Sequence, residues 1–274
     1  MDLDRYFRRI GFDGDAKPDL ATLTRLHRLH LEAIPYENLD VQLGRPVGFD
    51  IEAIFDKLVL SRRGGWCYEM NGLFAWALER IGFRPIRMAG GVLRERLGDR
   101  TVGGHLVLCV HLDRAYLADV GFGDGLIEPV PITPGPIQQR FLGFTLAQLD
   151  DGWWRFQNHP QGGATSFDFQ IAEASPAVLA ERCQWLQSSP DSGFVQNAVC
   201  QRFSRDALLV LRGRVLKAIR AEGTQQMVIG NLADYRETLR TVFGIEVDVT
   251  PFWDRISARH EEWLRAQKHV ASGG

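Results

Sequence analysis

The sequence predicts an α+β chain in three successive parts, and three observations carry that expectation. Apolar residues recur at helical spacing up to about residue 85. Short or alternating apolar runs, broken by Gly, Asp and Pro, fill about 86–190. Strand-like and helix-like runs mix from about 191 to 274. At 274 residues the chain is long enough for a substantial core and for two or three domains.

In the first part, residues 1–85, Leu20, Leu23, Leu26, Leu29 and Leu31 approximate one apolar helix face. Ile51, Ile54, Phe55 and Leu58 form another, and Pro35 and Pro46 interrupt between them. A third helix starts within Arg63-Gly64-Gly65-Trp66-Cys67-Tyr68-Glu69-Met70-Asn71. Leu73, Phe74, Ala77, Leu78 and Ile81 give it an amphipathic pattern, and Gly82 is its stop. In the second part, 86–190, Ile86–Ala89, Leu106–Val110, Ala115–Ala118, Trp153–Phe156 and Phe167–Phe169 read as strands of an antiparallel sheet or barrel. Pro129–Pro136, with four prolines in eight residues, reads as a loop. In the third part, 191–274, Arg212–Ile219 looks like a strand. Asp234–Phe243 looks like a helix ending at Gly244, and Pro251 to about Lys268 looks helical. There is no internal repeat or low-complexity segment.

Composition narrows the function. A formal charge of −2 argues against a general binder of nucleic acid or anionic membranes. The four cysteines, at 67, 109, 183 and 200, show no zinc-like spacing, so no metal is expected. Cys109 and Cys183 read as packed thiols. His27, His30, His111, His159, His260 and His269 form no metal-ligand pattern and read as surface or structural. No signal peptide and no apolar run near 18 residues is evident, so the chain reads as cytoplasmic. No patch or heptad pattern marks an oligomer interface.

The chemistry centres on Cys67. A thiol at a helix start meets unpaired backbone N–H groups and the positive end of the helix dipole. Both favour the thiolate, which is the reactive form. A base stands in one short stretch: His105 opens an apolar run, and Asp119 closes the next and leads into Val120-Gly121-Phe122-Gly123. The two runs read as a hairpin turning at Leu112-Asp113-Arg114. A three-residue turn pairs His111 with Ala115, sets Val107 opposite Asp119 and leaves His105 one diagonal step away on the same face. A two-residue turn would separate them unless a bulge intervened. Glu69, two residues from the thiol, reads as a structural group at the helix start, paired with Arg63. Gly121-x-Gly123-x-Gly125 is not a dinucleotide fingerprint, because no helix pattern follows it.

These segments, with Tyr6-Phe7-Arg8-Arg9-Ile10-Gly11 and Leu31–Leu39, occur in an order that resembles the bacterial arylamine N-acetyltransferases over most of the chain. The resemblance implies a helical bundle, a β-barrel and an α/β lid, with a cysteine-protease-like Cys67-His105-Asp119 triad. It implies acetyl-CoA as co-substrate with no permanently bound cofactor, and small aromatic amines, hydrazines or arylhydroxylamines as acceptors. The expected cycle is ping-pong through acetyl-Cys67, from a standing thiolate–imidazolium pair. By the same analogy, Thr101, Gly103, Gly104 and Gly123 are candidate CoA contacts in loops beside the triad. Tyr36, Val92 and Phe122 match positions lining the acceptor pocket. Phe203 is a lid candidate for that pocket, although core packing suits both it and Phe194 better. Tyr36 replaces the usual Phe, and Trp66 and Tyr68 flank the cysteine in place of Tyr and Phe. Three other functions compete: a biosynthetic amide synthase on the same fold, a thiol hydrolase or transglutaminase-like enzyme, and a non-catalytic binding module. The filled triad argues against the last.

Overall fold

Asp2 and Asp19 stand in extended backbone and accept the N–H groups of Asp4 and Thr22. They cap α1 (Leu3–Ile10) and α2 (Leu20–Ala33). The computed structural model describes residues 1–272, with side chains to Arg265; the side chain of His269 lies outside them. After Pro35 come a two-residue strand β1 (Tyr36–Glu37) and a single turn α3 (Leu39–Gln42). α4 (Ile51–Phe55) runs on through a π turn to Leu60. α5 (Cys67–Ile81) stops at Gly82, whose φ of 108° suits glycine. The sequence reads α5 as amphipathic, but between Cys67 and Leu78 only Gly72 is not fully buried. Helices α1, α2 and α4 cover one side of α5, and the sheet covers the other. A central helix needs apolar or fully bonded residues all round.

The second part contributes β2 (Pro85–Val92), α6 (Arg94–Leu97), β3 (Val102–His111), β4 (Ala115–Leu117), β5 (Val130–Pro131), β6 (Gly135–Gln139), β7 (Leu142–Gln148), β8 (Trp154–Gln157) and β9 (Ser166–Phe169). The strands form one antiparallel sheet in the order β5-β4-β3-β2-β9-β8-β7-β6. It curls until its two edges meet through a side chain. Gln139 Oε1 accepts the N–H groups of Ile127 (2.7 Å) and Glu128 (3.2 Å), and Nε2 donates to the Glu128 carbonyl (2.8 Å). Phe144, Phe156, Phe167 and Phe169 fill the interior. The hairpin has the expected register, His111 opposite Ala115.

Two local expectations need correction here. Pro129–Pro136 is not all loop: it holds β5 and the start of β6. Pro131 and Pro136 fit because both strands are sheet edges. Thr101–Gly104 is not an open loop either. Val102, Gly103 and Gly104 lie in β3, where pairing jumps from Gly90–His105 to Gly91–Val102. That bulge is covered by α7 (Pro176–Ser188). A Cβ on Gly103 would meet the Val178 carbonyl at 2.9 Å.

The third part holds α8 (Gly193–Gln196), β10 (Val199–Phe203), β11 (Leu208–Arg212), β12 (Val215–Arg220), β13 (Gly223–Val228), α9 (Leu232–Thr238, prolonged by a π turn to Phe243) and α10 (Thr250–Ser272). The expected strand Arg212–Ile219 is split by a tight hairpin: Arg212 pairs with Val215 across Gly213, whose φ is 54°. The second sheet runs β1-β10-β11-β12-β13, so Tyr36 and Glu37 of the helical part are its first strand. Leu39 likewise packs into the core formed by Leu211, Tyr235, Phe243 and Phe252. Among the described residues no helix is long and apolar enough to cross a membrane.

The Gln139 bridge sets a test. Gln139→Leu leaves two part-buried N–H groups without their acceptor, at a cost of about 1–3 kcal/mol. Urea unfolding should register that loss, whereas Gln138→Leu, at an exposed site, should stay within about 0.5 kcal/mol of the native protein.

Candidate active site

Cys67 is the first residue of α5, and its backbone packs directly on the loop after β4. A Cβ on Gly121 would lie 2.9 Å from Cys67 Cα and 2.4 Å from Asn71 Nδ2. Only glycine permits that approach. Cys67 Sγ points at the Gly104 carbonyl, 3.9 Å away, on the residue before His105. The Tyr68 hydroxyl donates to the Gly103 carbonyl at 2.7 Å, which ties the helix start to the same bulge.

His105 Nε2 donates to Asp119 Oδ2 at 2.7 Å. That leaves Nδ1 as the ring nitrogen free to take a proton. The imidazole is wedged between Phe122 (5.3 Å between ring centres) and Phe167 (4.9 Å, edge-on). Asp119 is almost fully buried, and its other oxygen, Oδ1, accepts Asn71 Nδ2 (2.7 Å) and the Gly121 N–H (2.8 Å). Burial pushes this carboxyl up. The His105 ring, Asn71 and the Gly121 N–H outweigh it and hold the group below the ordinary carboxylate range. Asn71 is saturated as well: Nδ2 also donates to the Leu106 carbonyl (2.6 Å), and Oδ1 accepts the Val120 N–H (3.0 Å). One amide thus joins α5, β3 and the Asp119 loop.

Burial also pushes the Cys67 thiol up, well beyond its usual range, against the backbone N–H groups of Leu106 and Tyr68. The helix start alone predicts a standing thiolate. Removal of Cys67 from water opposes that preference.

The expected Arg63–Glu69 pair does not form. Arg63 binds Glu37 Oε1 (2.6 Å) and Asp40 (3.2 Å), while Glu69 is paired with Lys57 (2.8 Å), which also reaches Asp40 (2.7 Å). β1 lies closer to Arg63 than the helix does, a pairing set by the fold. Glu69 Oε2 accepts the Trp66 N–H at 3.2 Å and so closes the helix start, as a structural group would. Three carboxylates share two cations here. Burial, with the Glu37 and Asp40 charges, pushes Glu69 up to about 7 against the pull of Lys57.

The remaining candidates divide. Tyr36 shares an apolar cluster with Cys67, Trp66, Tyr68 and Leu106. Phe122 lies on His105, and half-buried Val92 pairs with Phe167 on β9. Phe203 is fully buried in the main core, as its packing reading anticipated. Gly103 and Gly104 face Val178 and Arg182 of α7, and Thr101 bonds the Gly98 carbonyl. Gly123, with φ 83°, leaves room for Gln201, which donates to Asp124. Sequence reading missed Asn71 as a structural partner, although four residues after Cys67 is one turn along the same helix face. It also missed Phe167, which only the β2–β9 pairing brings to His105.

The Asp119 geometry fixes a sign. Its folded pKa lies below the unfolded value of about 3.9. Its contribution to stability is therefore full above that value and is lost as pH falls through the lower folded value. Asn71→Ala removes one charge-assisted bond and should move the acid-unfolding midpoint upward. It should also slow Cys67 acylation about 10- to 100-fold, the equivalent of one such bond.

A family model described as N-acetyltransferase matches residues 19–252. The arylamine N-acetyltransferase of Mycolicibacterium smegmatis is 36% identical over 261 residues, covering 90% of this chain and 93% of the relative. That of Mycobacterium bovis is 33% identical and covers 97% of both chains. The solved arylamine N-acetyltransferase of M. tuberculosis superposes with a TM-score of 0.84 at 32% identity, over 93% of this chain and 99% of that one. The Mycobacterium marinum enzyme in complex with CoA gives the same TM-score at 31% identity, over 93% of this chain and 98% of that one. With the cysteine, histidine and aspartate segments converging as described, this chain belongs to the arylamine N-acetyltransferase family.

Proposed function

We propose that this chain transfers the acetyl group of acetyl-CoA to arylamines through Cys67. The observation that carries the reading is a buried thiol at a helix start, aimed at the carbonyl of the residue before a histidine that is itself paired to a buried carboxylate. Cys67 Sγ attacks the thioester carbonyl carbon while its proton passes to His105 Nδ1. Asp119, held ionised, stabilises the imidazolium that results. The C–S bond to CoA breaks, and the leaving thiolate takes the proton from His105. The acceptor nitrogen then attacks the acetyl carbon, His105 takes the N–H proton, and Cys67 departs to collect it. Backbone N–H groups at the start of α5 are the donors for the oxyanion.

Aromatic amines suit this cycle because ring conjugation leaves them neutral at pH 7, with a free lone pair. Arylhydrazines and arylhydroxylamines are weakly basic too and keep a free lone pair at pH 7. Tyr36, Val92 and Phe122 are the residues we assign to the acceptor. Four buried free cysteines suit a reducing compartment, and we assign the enzyme to the cytoplasm.

Intact-mass measurement after mixing with acetyl-CoA alone should give a single acetyl adduct, absent in Cys67→Ala and discharged by an added arylamine. Folded native protein with no adduct would overturn the reading. Rapid loss of the adduct without an acceptor would favour a hydrolase, and acylation only by larger acyl thioesters would favour an amide synthase.

A further inference from the structure

β13 (Gly223–Val228) ends the second sheet, and among the described residues nothing covers it. All of its residues are exposed, Met227 at 58% and Val228 at 50%. Exposed edges are ordinarily blunted by charge, proline or a bulge, because their free backbone groups can pair with another strand. β13 has none of these devices. From Gly223 to Ala233 there is no charged residue and no proline, and the pairing with β12 runs without a register shift.

The ladder fixes where the backbone groups point. The Ile229 N–H donates to the Arg214 carbonyl at 2.8 Å, and hydrogen-bonded pairs alternate along antiparallel strands. Gly223, Gln225 and Met227 therefore bond β12. Thr224, Gln226 and Val228 turn their N–H and C=O groups outward, where no backbone partner meets them among the described residues. The outward residues stand symmetrically about Gln226, so the edge is its own complement. A second copy, turned about a two-fold axis at Gln226, sets Gln226 opposite Gln226 and Thr224 opposite Val228 on either side. Each of these pairs exchanges two hydrogen bonds, and every outward group is used. A two-fold at Gln225 or Met227 leaves Val228 or Thr224 without an outward residue of the strand to face.

The side chains agree with this register. Thr224, Gln226 and Val228 share one face. Across the seam Thr224 meets Val228 as a β-branched pair, and the Gln226 amides face each other with a donor and an acceptor apiece. No like charges meet. We propose that β13 is a homodimer edge, at which two copies join their second sheets into one continuous antiparallel sheet. The seam lies at the far edge of that sheet from Tyr36 and Glu37, so the Cys67 cluster stays clear of it. One strand pair is small beside the roughly 1,200–2,000 Å² of stable complexes, so the association is reversible and in the micromolar range.

Sedimentation equilibrium of the full chain should give a mass that rises from 30.9 kDa toward that of a dimer across micromolar concentrations. Gln226→Pro removes an outward N–H and no bond to β12, so it should keep the native circular dichroism and stay monomeric. Gln226→Cys reads the register. Its thiol faces its own copy across the axis, and the native cysteines are buried and do not compete. Diamide should link this variant into covalent dimers. Gln225→Cys should not link, because its copies stand out of register, beyond the ~7 Å limit for a bridge. A monomer at every concentration, a dimer that survives Gln226→Pro, or linkage at 225 as fast as at 226 would overturn the proposal. None of these readouts involves acetyl transfer, so the edge is decided separately from the catalytic reading.

Discussion

The buried carboxylate of Asp119 is the constraint on which the site depends. An ionised group at 3% exposure is tolerable only when its lone pairs are filled by well-placed donors. The donors come from three places: Asn71 on the central helix, His105 on the adjoining strand, and the Gly121 N–H in its own loop. The helix, the strand and the loop must therefore arrive together. Charge satisfaction and the placing of the His105 ring are one requirement here, met by one set of bonds.

The helix start is held from behind in a similar way. Gly64 lies so close to the Pro35 carbonyl that any side chain would collide with it, and Glu69 closes over Gly65 and the Trp66 N–H. Lys57, Arg63, Glu37 and Asp40 lock that turn to β1, which is itself the first strand of the second sheet. The turn before Cys67 is thus fixed to two of the three parts of the chain. The cost is desolvation of the thiol, which opposes the thiolate that the helix dipole favours. The two effects act on the same atom in opposite senses. Proton transfer to a histidine already poised by a buried carboxylate is how a nucleophile can be both dry and reactive.

Much of this was legible in the chain. The helix from Cys67 to Gly82 and the hairpin register follow from periodicities of 3.6 and 2 and from the length of one turn; His105 and Asp119 meet by a hydrogen bond beyond the end of β4. The pairing of His105 with Asp119 was legible because the residues before and after the Leu112–Arg114 turn carry their own local signals. The Pro-rich segment and Arg212–Ile219 misled for a single reason. Neither signal is local to a run of apolar residues: β5 and β6 are strands because they lie at sheet edges that tolerate proline, and Arg212–Ile219 is two interior strands because the chain reverses at Gly213.

By itself the sequence determined most of the local elements and the register of the hairpin that carries His105, because those depend on neighbours a few residues apart. Tertiary structure alone decided the partners. Lys57 rather than Arg63 answers Glu69, Asn71 answers Asp119, and Phe167 walls His105. Each of these pairings joins residues from separate elements, most of them far apart in the chain. Long-range charge and packing are set by where elements dock, and no periodicity in a single segment encodes that.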